Sequence, residues 1–212
     1  EFKKLLDKHI TISENERRKL NSRIESLISR NKEENNERWL REYFLGSAVP
    51  GSFTGYKVPD LDKLTQMIVF FSQKQKPYKT KLNKLLFYSD FLNYQQTGFS
   101  ISGGRYRAIP HGPVPVRYDG LYEFLKEQQK IKIQSAVFGD EVVGEQFLPD
   151  KKIPFQADLF SKKELEILHH VSERFRGATT KDIIEASHKE AAWKENYENS
   201  RLIDYRYSFE MR

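Results

Sequence analysis

The sequence predicts an α+β domain: mostly helical, built around a central buried helix with a small antiparallel hairpin or sheet, and preceded by a helical N-terminal extension. Three observations predict it. The run "KTKLNKLLFYSDFLNYQQTG" (Lys79 to Gly98) is apolar nearly all round, and a helix apolar on every side is a buried one. "IKIQSAVFGDEVVGEQFLP" alternates on both sides of Gly139-Asp140, a dipeptide suited to the tight turn of a hairpin. "SENERRKLNSRIESLISR", near the start, opens with Ser13 and Glu16 at capping-box spacing. It carries only one narrow apolar stripe, Leu20, Ile24, Leu27 and Ile28, so it reads as a helix outside the main core.

The elements follow in order. "NKEENNERWLREYF" is polar until Trp39, Tyr43 and Phe44, and the Gly/Pro/Ser stretch from Gly46 to Pro59 then reads as a linker. The expected division is therefore 1–50, helical extension and linker, and 51–212, the main domain. "DLDKLTQMIVFFSQKQ" repeats Leu61, Leu64, Ile68 and Phe71 at helical spacing and stops before Pro77. In the central helix that follows, Gly98 is the expected terminator. Asp90 falls in its middle and needs a partner, for which Arg105, Arg107 and His111 are the candidates. "RYRAIP" reads as a strand running into a segment that holds Pro110, Pro113 and Pro115. Each proline fixes its own φ and pushes its predecessor towards extended geometry, so the chain is rigid there. "VRYDGLYEFLKEQQ" is a helix with Tyr118, Leu121, Tyr122 and Leu125 on one face. Two more helices follow, one opened by a capping box at Ser161 and Glu164.

Composition narrows the function classes. The chain has no cysteine, which excludes disulfides, thiolate metal sites and a Cys nucleophile together. No window approaches the ~18 apolar residues of a membrane span, and no signal peptide is evident, so a cytoplasmic address without membrane contact is expected. The chain begins with Glu1 rather than Met, as a piece of a longer protein does. The formal net charge of +6 is concentrated in residues 51–130, with 12 Lys/Arg against 6 Asp/Glu, above all in "KQKPYKTKLNK". Such a run suits nucleic acid or an acidic protein partner, or is simply a solvated loop and helix start.

No catalytic constellation is legible, and no cofactor or metal is expected. "GSFTGYK" lacks the glycine spacing of a phosphate-binding loop, and His169-His170, adjacent on a helix, point about 100° apart. The pair "LEILHHVSERFRG" and "TTKDIIEASHKE" has helix-turn-helix spacing. Its second helix carries Asp182, Glu185 and Glu190, which suits core packing better than phosphate contact. What stands out is the rigid proline segment beside aromatic and arginine residues, the types that carry binding hot spots. Arg105, Tyr106, Arg107, Tyr118 and Tyr122 are accordingly the expected partner-binding residues. Asp90, His111, Gly112, Pro113, His188 and Trp193 are expected to be structural. His188 and Trp193 lie five apart, so a bend must intervene to bring them to one face.

The order of motifs resembles the Panacea domain, the SocA-like or GepA-like family of antitoxins, over about Phe53 to Tyr197. Lys81 to Tyr88 matches its K-L-x-K-L-L-[FY]-[YF] helix, His111 to Val114 its [HY]-G-P-V segment, and Ser187-His188 through Trp193 its S-H-x-x-x-x-W pattern. Lys189 departs from the acidic residue expected after the histidine. The resemblance implies a non-enzymatic antitoxin of a bacterial or phage toxin–antitoxin system, neutralising a cognate toxin protein by direct binding. Members often carry a separate DNA-binding domain, and residues 1–50 do not resemble one. DNA is therefore expected as a partner only through a separate domain outside this chain. A homodimer through the N-terminal helices is a further expectation. The alternatives are a proteolytic adaptor and a transcriptional regulator.

Overall fold

The computed structural model describes residues 18–19, 22–23, 25–26, 38–46, 49–138 and 142–211. The chain divides into two units, Glu1–Leu40 and Arg41–Arg212. In the first, Arg18, Lys19, Ser22, Arg23, Glu25 and Ser26 are helical and exposed. The apolar stripe of that segment, and with it the expected homodimer contact, lies outside the described residues. The second unit begins ten residues before the boundary read from the sequence. Residues 41–45 are helical, with Phe44 and Leu45 buried and the Phe44 ring 5.2 Å from that of Phe124.

Helix α1, Leu61–Gln75, starts at an Asp60 cap that accepts from the Lys63 N–H and ends at Lys76 in the left-handed region, one residue before Pro77. Helix α2, Lys79–Thr97, ends at Gly98 with φ +78°, the expected terminator. Every residue from Lys81 to Tyr94 is buried, so α2 is the central helix that its sequence predicts. Its lower half packs rings rather than aliphatic chains. Phe91 lies 4.3 Å from Phe87 and stacks on Tyr205 at 4.3 Å, with Tyr106 edge-on to both phenylalanines. Offset and edge-on contacts of this kind add to the burial of the rings themselves.

The proline segment corrects one expectation. It is itself a strand, not a connector from a strand to a helix. Strand β1, Tyr106–Ile109, turns through Pro110 and His111 into strand β2, Gly112–Pro115, antiparallel, with Arg107 opposite Val114 and Ile109 opposite Gly112. The Val116 N–H donates to the Arg105 carbonyl at 2.9 Å, so alternation aims the backbone of residues 112, 114 and 116 at β1. Pro113 and Pro115 then face the outer edge, where a missing N–H breaks no ladder bond. On the other side of β1, the Ala108 N–H donates to the Arg201 carbonyl and the Ile203 N–H to the Tyr106 carbonyl, at 3.1 and 2.9 Å. Residues 201–203 thus flank β1 as an added strand-like segment.

Helix α3, Tyr118–Glu127, buries Leu121, Tyr122 and Leu125. The expected hairpin follows as β3, Lys132–Phe138, and β4, Val142–Leu148, paired from Lys132 opposite Leu148 to Phe138 opposite Val142. Helix α4, Lys162–Arg174, opens on the Ser161–Glu164 capping box, and α5, Thr180–Lys189, on a Thr179–Asp182 one. Both pack on α2, so the pair with helix-turn-helix spacing belongs to the core. A short α6, Ala191–Lys194, and a 3-10 turn, Tyr205–Glu210, complete the unit.

Candidate functional site

Two polar centres lie against the β1–β2 hairpin, one beneath its strands and one beneath its turn. The first is Asp90, fully buried. Its Oδ1 accepts from the Ile101 and Ser102 N–H groups, both at 2.8 Å. Its Oδ2 accepts from the Ser102 and Tyr106 hydroxyls at 2.5 and 2.7 Å. The arginine or histidine partner expected from the sequence is therefore replaced by four neutral donors. Burial raises the Asp90 pKa above the ordinary carboxylate range, and the four donors work against that shift. All four partners donate, which suits an acceptor-only carboxylate. Tyr106, expected at the surface, is 0% exposed because its hydroxyl closes this network.

The second centre gathers Lys84 from α2, Gly112 from the hairpin, and Ser187 and His188 from α5. Gly112 has φ +93°, and a Cβ there would stand 2.5 Å from Ser187 Oγ and 2.6 Å from Lys84 Cε. Only glycine permits so close an approach. Glu190, at φ −72° and ψ 137°, breaks α5 from α6, which is the bend that His188 and Trp193 require. Their rings stack at 3.8 Å, and Trp193 Nε1 donates to the Ile109 carbonyl at 2.8 Å. Burial lowers the His188 pKa, as do Lys84 and His111, against a hydrogen bond to the Pro110 backbone. His111, a candidate partner for Asp90, is exposed at the tip of the turn. His188 lies beneath the turn instead.

The dense basic run turns inward. Lys81 is buried and donates to the Phe175 and Ala178 carbonyls at 2.8 and 2.7 Å, closing the end of α4. Lys79 pairs with Asp119 and Glu145, and Lys84 is 0% exposed. Only Lys74 and Lys76 of the run stand fully at the surface. The run is therefore not an open phosphate-binding patch, because Lys79, Lys81 and Lys84 sit on the N-terminal half of the central helix.

The exposed positive charge lies elsewhere. Along β1, Tyr106 and Ala108 point inward, Arg107 outward, and Ile109 is half-exposed. A groove of about 150 Å³ runs over Arg107, Ile109, Val114, Pro115, Val116, Arg117, Tyr118 and Asp119. Arg107 Nη1 donates to the Ser200 carbonyl and Arg117 Nη1 to the Tyr43 carbonyl, both at 2.7 Å. The Arg117 guanidinium also lies 4.4 Å above the Tyr43 ring. Arg105, half-buried, has its pKa lowered by burial and then by Arg117 and Arg107. Among the described residues none of these three arginines forms an ion pair.

Of the expected partner-binding residues, Arg107 and Tyr118 line this groove and Arg105 sits beside it. Tyr122 is a correction: it is 2% exposed and donates to Asn83 Oδ1 at 2.6 Å. Lys84 and Ser187 carry features that residue-by-residue reading overlooked, while Arg117, close in sequence to the proline segment, joins Arg107 and Tyr118 in the groove. Among the described residues no group of three or more His, Cys, Asp or Glu is placed to hold a metal ion, and no helix is long and apolar enough to cross a membrane.

The motif segments on α2, β2 and α5–α6 thus meet around one hairpin, and the family model for "Antitoxin SocA-like, Panacea domain" matches residues 82–194, which contain all three meeting points. The chain belongs to that family. The Panacea match spans just over half of the chain and covers both polar centres, while residues 201–211, which close over β1, lie beyond it. No curated protein and no solved structure matches the chain.

Proposed function

We propose that this Panacea-domain protein is the antitoxin of a toxin–antitoxin pair, acting in the cytoplasm by direct binding to a cognate toxin protein, without chemistry of its own. The observation that carries the reading is the uncompensated arginine face of the hairpin. Arg107 and Arg117 are held by backbone carbonyls, not by carboxylates, so their charge stays available while their side chains are ordered in advance. Tyr118 supplies an amphipathic ring beside them, and the strands beneath are stiffened by Pro113 and Pro115. A preorganised, positive, aromatic-edged surface suits an acidic patch on a folded partner.

Co-expression with the product of the neighbouring gene, scored by growth rescue and co-purification, is the direct test. Rescue with a stable complex is the expected result. Within that complex, Arg107→Ala with Arg117→Ala is expected to weaken binding by roughly 10–100-fold and to flatten its salt dependence. Tyr118→Ala is expected to weaken it by about 10-fold. Replacing Lys74 and Lys76 by alanine should leave the complex unchanged. Rescue without a complex would point to the transcriptional regulator or the proteolytic adaptor instead. A complex insensitive to the arginine pair would move the docking surface away from the hairpin.

A further inference from the structure

Lys81 and Lys84 are one helical turn apart on the same buried helix, yet the fold treats them differently. The Lys81 ammonium donates to two carbonyls. The Lys84 Nζ is more deeply enclosed and donates to nothing. His188 Nε2, from a different element, is also buried and without a partner. The charges that bear on His188 are those of Lys84 and His111, both basic. The nearest acid in sequence, Glu190, takes the Tyr88 hydroxyl at 3.2 Å, and the Ser187 hydroxyl is given to the Ile184 carbonyl at 2.8 Å.

A buried basic group without a partner is costly to hold in its charged form. Two unpartnered basic groups from separate elements, converging with no acid between them, form an incomplete anion site. We propose that Lys84 Nζ and His188 Nε2 together hold one small oxyanion, a carboxylate or phosphate group, that enters beneath the Ile109–Gly112 turn. The lysine offers N–H donors. The imidazole takes up a proton on Nε2 as the anion arrives, while its other nitrogen keeps the Pro110 backbone contact. His188 is half-exposed and the turn tip of Pro110 and His111 beside it is exposed, so this is the side of the site nearest solvent. Close packing of Gly112 against Ser187 and Lys84 limits the guest to a single compact group. The anion comes either from solution or from an acidic side chain of the partner; only the second source rests on the antitoxin reading.

The test uses the full chain. Thermal unfolding is followed while sodium phosphate, and separately sodium acetate, is titrated at constant ionic strength, for the wild type, Lys84→Met and His188→Gln. A free-anion site raises the wild-type midpoint by several degrees, saturably, and leaves both variants unmoved. If neither anion acts but Lys84→Met, still folded, loses toxin neutralisation by 10-fold or more, the anion belongs to the partner and the site stands. A rise that never saturates and is equal in all three proteins is a general salt effect. That result, or no rise at all, together with full neutralisation by Lys84→Met, overturns the proposal and leaves the pair as a water-bridged element of the core.

Discussion

Asp90→Ala is expected to remove about 3–5 kcal/mol or more of stability, a large share of the ~5–15 kcal/mol that holds a domain of this kind together. The reason is the number of donors left behind. Two backbone N–H groups, at Ile101 and Ser102, cannot turn away, and the hydroxyls of Ser102 and Tyr106 are enclosed with them. Asp90→Asn separates charge from connectivity. With its oxygen on the backbone side and its amide on the other, the two hydroxyls can rotate to accept, so about 1–2 kcal/mol is expected. Denaturant melts of the three proteins check this. An alanine variant within about 1 kcal/mol of wild type would mean that water replaces the carboxylate and that the network is not what ties residues 101–106 to α2.

Lys84→Met is expected to act in the opposite direction, stabilising the fold by about 1–4 kcal/mol at neutral pH and below. Methionine fills a similar volume and removes a buried amine that has no partner. Burial lowers the Lys84 pKa to about 7, against the ordinary lysine value in the unfolded chain. Between about pH 7 and the ordinary lysine range near ~10.4 the unfolded chain therefore binds a proton that the folded chain does not, so this group makes stability rise with pH across that window. Below it both states are protonated, and the folded one bears the full penalty of an enclosed ammonium. The gap between Lys84→Met and wild type is thus widest at pH 6–7 and closes by about pH 10. Taking the difference between the two proteins cancels Lys79 and the buried tyrosines, which titrate in common. A gap independent of pH would show that Lys84 keeps its charge paired in solution.

The same residues show how much was legible in advance. The even apolar pattern around α2 predicted its burial, and with it the burial of Asp90. The identical argument applied one turn from its start encloses Lys84, but a lysine draws the eye to charge rather than to position. Tyr122 sits among Leu121 and Leu125 on the α3 face that packs inward, and Tyr106 alternates with the outward Arg107, so both were placed by their own periodicity. Residue type suggested a surface where spacing pointed to a core. The proline strand was illegible for another reason. Proline argues against a strand unless its nitrogen faces an open edge, and which edge is open depends on residues 201–203, almost a hundred positions away. Likewise, the Asp90 donors come from a loop whose shape no local pattern announces. The spacing of His188 and Trp193 did predict the bend that Glu190 supplies.

The strap of residues 201–211 has a consequence for how the protein comes into being. Ribosomes deliver β1, α2 and the Asp90 loop well before this segment exists, and until it arrives Tyr106 lacks its backbone partner at Ile203, and Phe91 the ring of Tyr205. The aromatic centre of a nascent chain therefore stays uncovered on one side, open to chaperones and proteases. Closure of the aromatic centre thus waits on translation of residues about a hundred positions downstream of the strand they cover.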